Sequence, residues 1–258
     1  MLLSATAFAD FSPKIIGSEV SELQEKDFNK KNVERLHQGH NEIILTFDDG
    51  PTPGVTDKVL DVLKEKNIKA TFFVIAEKAA VAPALMKRIF NEGHIVANHS
   101  MTHKKALNDL NFITRKKVLK REVLEAHSII SPYMGNGKNF FFRAPEGKWE
   151  DKNAEFLNDT DVGRKYIGPL LWDIGGAIVH SSNGQVTRAA DWDCWNKNKL
   201  TVDECAAGYL SEAKITKGGV VLMHDLNVKS AHMLAKLLPT LEEAGFTFKT
   251  LDDVNWDK

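Results

Sequence analysis

From residue 42 onward, short apolar runs alternate with stretches whose apolar residues recur every three or four positions. The runs 43–47, 70–75, 95–98, 140–142, 170–174, 220–223 and 246–251 have the length and continuous apolar character of buried strands. Between them, Val55, Val59, Leu60, Val62 and Leu63 follow a helical period. So do Leu85, Met86, Ile89 and Phe90, then Val118, Leu119, Val123 and Leu124, and finally Leu234, Leu237, Leu238 and Leu241. Gly93 and Gly245 stand where a helix would stop. Strand–helix alternation over about 200 residues predicts parallel strands joined by crossover helices. About seven such strands in one chain predict an α/β fold, an irregular (β/α) barrel, rather than an open sheet.

Polar residues fall at informative places in that pattern. Asp48, Asp49, His99, Arg143 and His224 all come at or just after the C-terminal end of a predicted strand. In a barrel that is the rim on which active sites are assembled. Two regions break the rhythm. Residues 10–41 are polar and mixed, an N-terminal extension, and residues 42–258 form the barrel. Residues 175–205 carry little apolar periodicity and read as an insertion on the active-site face, suited to substrate recognition.

Composition narrows the partners. The chain has 258 residues, with Lys+Arg 34 against Asp+Glu 35 and a net charge of -1, so no electrostatic case exists for nucleic acid or an anionic membrane. No stretch reaches the roughly 20 apolar residues of a membrane span. Residues 1–9 are small and apolar, and Ala7-Phe8-Ala9 before Asp10 fits a small-x-small cleavage site, as in the back half of a secretory signal. The expectation is an exported protein, periplasmic or secreted. Cys194 and Cys205 then close a surface loop as a disulfide; in a cytosolic chain they are two separate buried thiols. Oligomeric state is not legible.

The chemistry concentrates in three places. Asp48-Asp49 closes the first strand, and His99 and His103 stand four positions apart, on one face if the chain turns helical there. One carboxylate and two imidazoles suit a borderline divalent cation, Zn²⁺ first and Co²⁺ second, with an open position for water. Asp49, His99 and His103 are the metal-ligand candidates, which leaves Asp48 as the base. Arg143, emerging from three phenylalanines, can relieve the repulsion between the neighbouring carboxylates. Pro145 and Gly147 fix a sharp loop that aims the backbone N–H of Glu146 at a developing oxyanion. His224, at a strand end before a helix-capping Asp225, is placed to donate a proton to a leaving group.

Five segments in order resemble the polysaccharide deacetylase family, carbohydrate esterase family 4, with its NodB-like domain. They are Thr46-Phe47-Asp48-Asp49-Gly50-Pro51, His99-Ser100-Met101-Thr102-His103, Arg143-Ala144-Pro145-Glu146-Gly147, Asp191-Trp192 and Leu222-Met223-His224. The resemblance spans about residues 42–254 and implies an irregular (β/α) barrel. It also implies metal-dependent removal of acetyl groups from N-acetylglucosamine-containing glycans, peptidoglycan first and chitin oligosaccharides second. O-acetyl ester hydrolysis and a glycan-binding protein without catalysis are the rival readings. By the same resemblance Asp48 is the base, Asp49, His99 and His103 hold the metal, and Arg143 steadies the base. His224 is the acid, Asp191 orients it, and Trp192 lines the acetyl pocket with Leu222. Two departures matter. Glu146 stands where the family usually has an aromatic residue, and Trp172-Asp173 competes with Asp191-Trp192 for the fourth motif, leaving Asp173 as runner-up.

Overall fold

The structure is a computed structural model that describes residues 28–29, 33–34, 37–103, 107 and 111–256. The segment read as a signal remnant, and most of the 10–41 extension, lie outside the described residues.

The strands are β1 (Glu42–Asp48), β2 (Thr71–Val74), β3 (Ile95–Asn98), β4 (Phe140–Phe141), β5 (Tyr166–Ile167), β6 (Val179–His180), β7 (Val186–Arg188), β8 (Gly218–His224) and β9 (Thr247–Lys249). The helices are α1 (Thr56–Glu65), α2 (Ala76–Val81), α3 (Pro83–Asn91), α4 (Phe112–Leu119), α5 (Ala126–Ile130), α6 (Asp151–Asn158), α7 (Asp191–Asn196), α8 (Val202–Thr216) and α9 (Val228–Glu243).

A parallel sheet runs β3-β2-β1-β8. β9 pairs with residues 42–44 of β1 and β2 with residues 46–48, so β1 changes neighbour halfway along. Isolated parallel bridges carry the arrangement onward, Asn98 to Phe142 and Ile174 to Val221, while β4 pairs with β5. The result is an irregular α/β barrel joined in places by bridges rather than ladders. β6 and β7 form a separate antiparallel hairpin.

Strand alternation sorts the core into two layers. Ile43, Leu45, Phe47, Phe72, Val96 and Met223 pack outward against helices, through residues such as Leu60, Met86 and Leu234. Ile44, Phe73, Ala97, Phe141, Ile167 and Val220 fill the interior. Thr46 and Asp48 share the parity of Ile44, and both are buried. The register sets Asp48 opposite Phe73 of β2 and His224 of β8, which brings strand ends far apart in sequence to one rim.

Two expected elements differ. The run 170–174 is no strand: the Leu170 and Leu171 carbonyls accept from Arg143, and the Leu171 N–H donates to Val33. The region 175–205 is not one loop either; it holds the β6–β7 hairpin, α7 and the start of α8. α8 buries Cys205, Ala206, Gly208, Tyr209, Glu212 and Ala213, a face too small and polar to show as an apolar period. A Cβ at Gly208 would lie 2.6 Å from the Ala189 Cβ, so only glycine allows α8 that close. Cys194 and Cys205 form the expected disulfide; the bond is buried between α7 and α8 and closes the largely exposed segment 195–204.

Candidate active site

The Asp48-Asp49-Gly50 turn leaves β1 with Asp49 in a left-handed conformation (φ 73°). A Cβ on Gly50 would fall 2.1 Å from Asp225 Oδ2, so the turn needs glycine to pass that buried carboxyl. Lys78 Nζ holds the Asp49 carbonyl at 2.8 Å. After β3 the chain does not turn helical. Ser100 (φ 71°) and His103 (φ 53°) are left-handed, and these turns, not a helical face, bring the imidazoles together. Thr102 donates its N–H and hydroxyl to Glu122, and Met101 N–H donates to the Glu122 carbonyl. Glu122 sits in a π-helical turn, Lys120–Glu125, between α4 and α5.

Three ligand atoms converge here. Asp49 Oδ1 lies 3.3 Å from His99 Nε2 and 3.2 Å from His103 Nε2. That oxygen is buried and has no hydrogen-bond partner. His99 Nδ1 is 2.8 Å from the Arg143 carbonyl and must donate to it, which assigns the Nε2 lone pair toward Asp49. Lone pairs facing one another around an orphaned carboxylate oxygen are what a cation relieves. Burial works against the Asp49 charge, but when the imidazoles carry protons, His99 by hydrogen bond and charge and then His103 by charge hold its carboxyl below the usual range. Burial, then His99, lowers His103, which favours the neutral, metal-binding form.

Arg143 is fully buried. It donates to Asp48 Oδ1 at 2.7 Å, to Thr46 Oγ1 at 2.8 Å, and to the Leu170 and Leu171 carbonyls. Its guanidinium also lies 4.1 Å over the Phe73 ring. A charge removed from water this completely needs such a set of partners. Asp48 Oδ2 is left facing His99 Nε2, 3.6 Å away.

Across the rim, His224 Nδ1 and N–H both meet Asp191, each at 2.8 Å, on its Oδ1 and Oδ2. Ser230 Oγ–H donates to Oδ2 at 2.7 Å and Trp192 N–H to Oδ1 at 2.8 Å. Tyr209 Oη accepts from Asp191 N–H and donates to the Leu222 carbonyl. Burial opposes the His224 charge, but Asp191 first, and then Asp48 and Asp49, together push the imidazole up to about 9. Asp173 is elsewhere: its Oδ2 accepts from the N–H groups of Val220 and His37, toward the start of β8.

Pro145 and Glu146 form a tight turn in which Glu146 is left-handed (φ 55°), and its carboxylate pairs with Lys148 at 2.8 Å. Leu222 is buried, whereas Trp192 is 47% exposed on α7. Asp225 does not cap a helix; Asn227 caps α9, while Asp225 Oδ2 accepts from Thr56 Oγ1 at 2.5 Å and burial raises its carboxyl to about 6. Sequence reasoning missed Thr46, Glu122, Tyr209 and Ser230. Only Thr46 lay inside a motif, and nothing local marks the others.

A family model described as polysaccharide deacetylase matches residues 36–163. A chitooligosaccharide deacetylase of Sinorhizobium fredii is 32% identical over 86% of this chain and 95% of its own length. The chain belongs to the polysaccharide deacetylase family. A peptidoglycan-N-acetylmuramic acid deacetylase of Bacillus subtilis, PdaA, is 30% identical over 84% of this chain and 72% of its own. Against PgdA, a peptidoglycan-N-acetylglucosamine deacetylase of Listeria monocytogenes, identity is 31%, but the chain spans only 39% of that protein. Among solved structures, the peptidoglycan N-acetylglucosamine deacetylase Bc1960 superposes with TM-score 0.65 at 25% identity, covering 90% of this chain and 94% of that one. The wild-type pseudoenzyme BA3943 of Bacillus anthracis superposes with TM-score 0.63 at 19% identity, over 84% of this chain and 66% of that one, a likeness of fold alone. The family fold thus serves proteins with and without catalysis, and activity must be argued from the site.

Proposed function

We propose that the protein is an exported, metal-dependent hydrolase that removes N-acetyl groups from an N-acetylglucosamine-containing glycan, with peptidoglycan as its first substrate. The observation that carries this reading is the partnerless Asp49 Oδ1 between His99 and His103 Nε2. That donor set suits Zn²⁺, with Co²⁺ as a replacement, and fits a cation held by three protein ligands. A cation held there supplies acidified water and a polarised carbonyl.

The chain's own groups supply the rest. Water adds to the amide carbonyl carbon, and Asp48 Oδ2 takes the water's proton while Arg143 holds Oδ1. The backbone N–H of Glu146, in the tight turn between Pro145 and Gly147, is the donor assigned to the developing oxyanion. His224, bound to Asp191 through Nδ1, delivers a proton from Nε2 to the departing nitrogen. The C–N bond breaks, releasing acetate and a free amine. Trp192 offers an exposed ring to a sugar face beside this centre, and Leu222 lines the acetyl pocket. The Cys194–Cys205 disulfide supports an exported chain.

A second reading, free chitin-type oligosaccharides as substrate, is favoured by the near full-length match to a chitooligosaccharide deacetylase. Acetate release from peptidoglycan, N-acetylglucosamine oligomers and an O-acetylated polymer, compared at equal acetyl content, separates the readings. Fastest release from peptidoglycan is expected. Release from the oligomers alone moves the substrate to free chains, and release from the O-acetylated polymer alone overturns N-deacetylation.

A further inference from the structure

A second cluster of metal-ligating side chains lies at the opposite end of β1. His37, His40 and Glu42 each offer one ligand atom, and these atoms all lie within 4.8 Å of one another. β1 runs Glu42–Asp48, a length of about 20 Å at about 3.3 Å per residue, so the cluster is remote from Asp49.

The cluster stands on fixed backbone. Gly39 (φ 90°) and Asn41 (φ 55°) are left-handed and fold residues 37–42 into a tight turn. Gly39 and Asn41 N–H donate to the Lys217 carbonyl, Thr247 N–H donates to the Asn41 carbonyl, and His37 N–H donates to Asp173 Oδ2. Glu42 is itself a strand residue paired with Gly218 and Thr247. Donors held this way lose little freedom when they close on an ion.

The side chains meet as ligands do. His37 Nε2 shares a hydrogen bond with Glu42 Oε2 at 2.5 Å, a proton that a cation would displace, and the His37 and His40 rings lie 4.5 Å apart with 12° between their planes. Lys249 Nζ stands 3.8 Å from the other oxygen, Oε1, which leaves Oε2 to the imidazoles. A His37–Glu42 ion pair alone gives no reason for a second imidazole, and two stacked imidazoles repel when both are protonated. A divalent cation uses all three groups at once. Two imidazoles and one carboxylate are the donors of zinc-class ions, and exposed His40 leaves the outer side of the cluster open to water.

We propose that His37, His40 and Glu42 form a second divalent-cation site, of zinc class, that clamps the 37–41 turn to the start of β1. The Lys249 ammonium nearby makes it the weaker of the two sites. This proposal does not rest on the deacetylase reading, because its readout is metal content rather than turnover.

The test is equilibrium dialysis of the full chain against zinc alone, at about 50 μM free ion, which fills a site of low-micromolar Kd. The unaltered chain is expected to hold two zinc ions. His37→Ala with His40→Ala is expected to hold one, with acetate release retained if the protein is a deacetylase. His99→Ala with His103→Ala is expected to hold one, lost on adding the first pair of substitutions. One ion in the unaltered chain, or a second ion that survives loss of His37 and His40, overturns the proposal. If the His99 and His103 variant fails to fold, the count with and without His37 and His40 decides alone.

Discussion

Two carboxylates on the same rim are treated in opposite ways. Asp191 is saturated, with four hydrogen bonds from His224, Ser230 and Trp192 converging on its two oxygens. Asp49 presents a buried oxygen with no hydrogen-bond donor, facing two imidazole nitrogens. A saturated carboxylate fixes its neighbour and does nothing else. An unsatisfied one is costly unless something arrives to fill it, since a buried unmade hydrogen bond costs about 1–3 kcal/mol and more for a charged group. The contrast separates positioning from binding without reference to sequence. Left-handed backbone follows the same division: Asp49, Ser100, His103 and Glu146 have positive φ, whereas Asp191 sits in the first turn of a regular helix.

The open side breaks first. Asp48→Asn keeps the shape and can leave the Asp49, His99 and His103 cluster in place, yet removes the proton acceptor. Turnover is expected to fall by about 10²–10⁴-fold, the usual contribution of a general base, with metal content unchanged. Turnover retained within a factor of ten would remove Asp48 from the role.

On the closed side, Asp191→Asn is expected to cost about 100-fold in turnover and to change its pH profile. His224 is raised from 6.5 to about 9, so the protonated acid persists below that value and is lost as pH rises through it. Without the Asp191 charge, the alkaline limb of the profile should move down toward 6.5. A cation at Asp49 lowers both proteins' limbs together, so the difference between them is the readout. An unmoved limb would show that Asp191 does not act through His224.

The disulfide sharpens the comparison from below, because it ties the helix that carries Asp191 to α8. Opening it with Cys194→Ser and Cys205→Ser is expected to cost about 2–4 kcal/mol in urea unfolding. A loss below about 0.5 kcal/mol would mean that packing alone holds α7. The smallest expected effect is Ser230→Ala, which takes one hydrogen bond from a saturated carboxylate. About a tenfold loss of turnover follows from about 1–1.5 kcal/mol, with the alkaline limb nearly in place.

Much of this was legible in the sequence where chemistry and periodicity coincide. Asp48, Asp49, His99, Arg143 and His224 each follow an apolar run, and strand ends of one barrel must share a rim. Legibility failed where side chains, not periodicity, organise the backbone. The run 170–174 looks like a strand, but the Leu170 and Leu171 carbonyls belong to Arg143. The face of α8 is glycine, alanine, cysteine, one tyrosine and a buried Glu212, so its helical period carried little apolar signal. Ser230 and Tyr209 reach Asp191 from elements 39 and 18 residues away, a convergence that no local pattern encodes. His99 and His103 were paired for the wrong reason, since left-handed turns rather than a helix unite them.

The central claim is that the Asp49 side of the rim is open because a cation belongs there and glycan deacetylation depends on it. Its most direct test is acetate release from peptidoglycan and from N-acetylglucosamine oligomers before chelation, after chelation, and after restoring zinc or cobalt. Release that is lost with the metal and restored with it, and that His99→Ala with His103→Ala abolishes, is the predicted result. Release undiminished in metal-free protein would contradict the account.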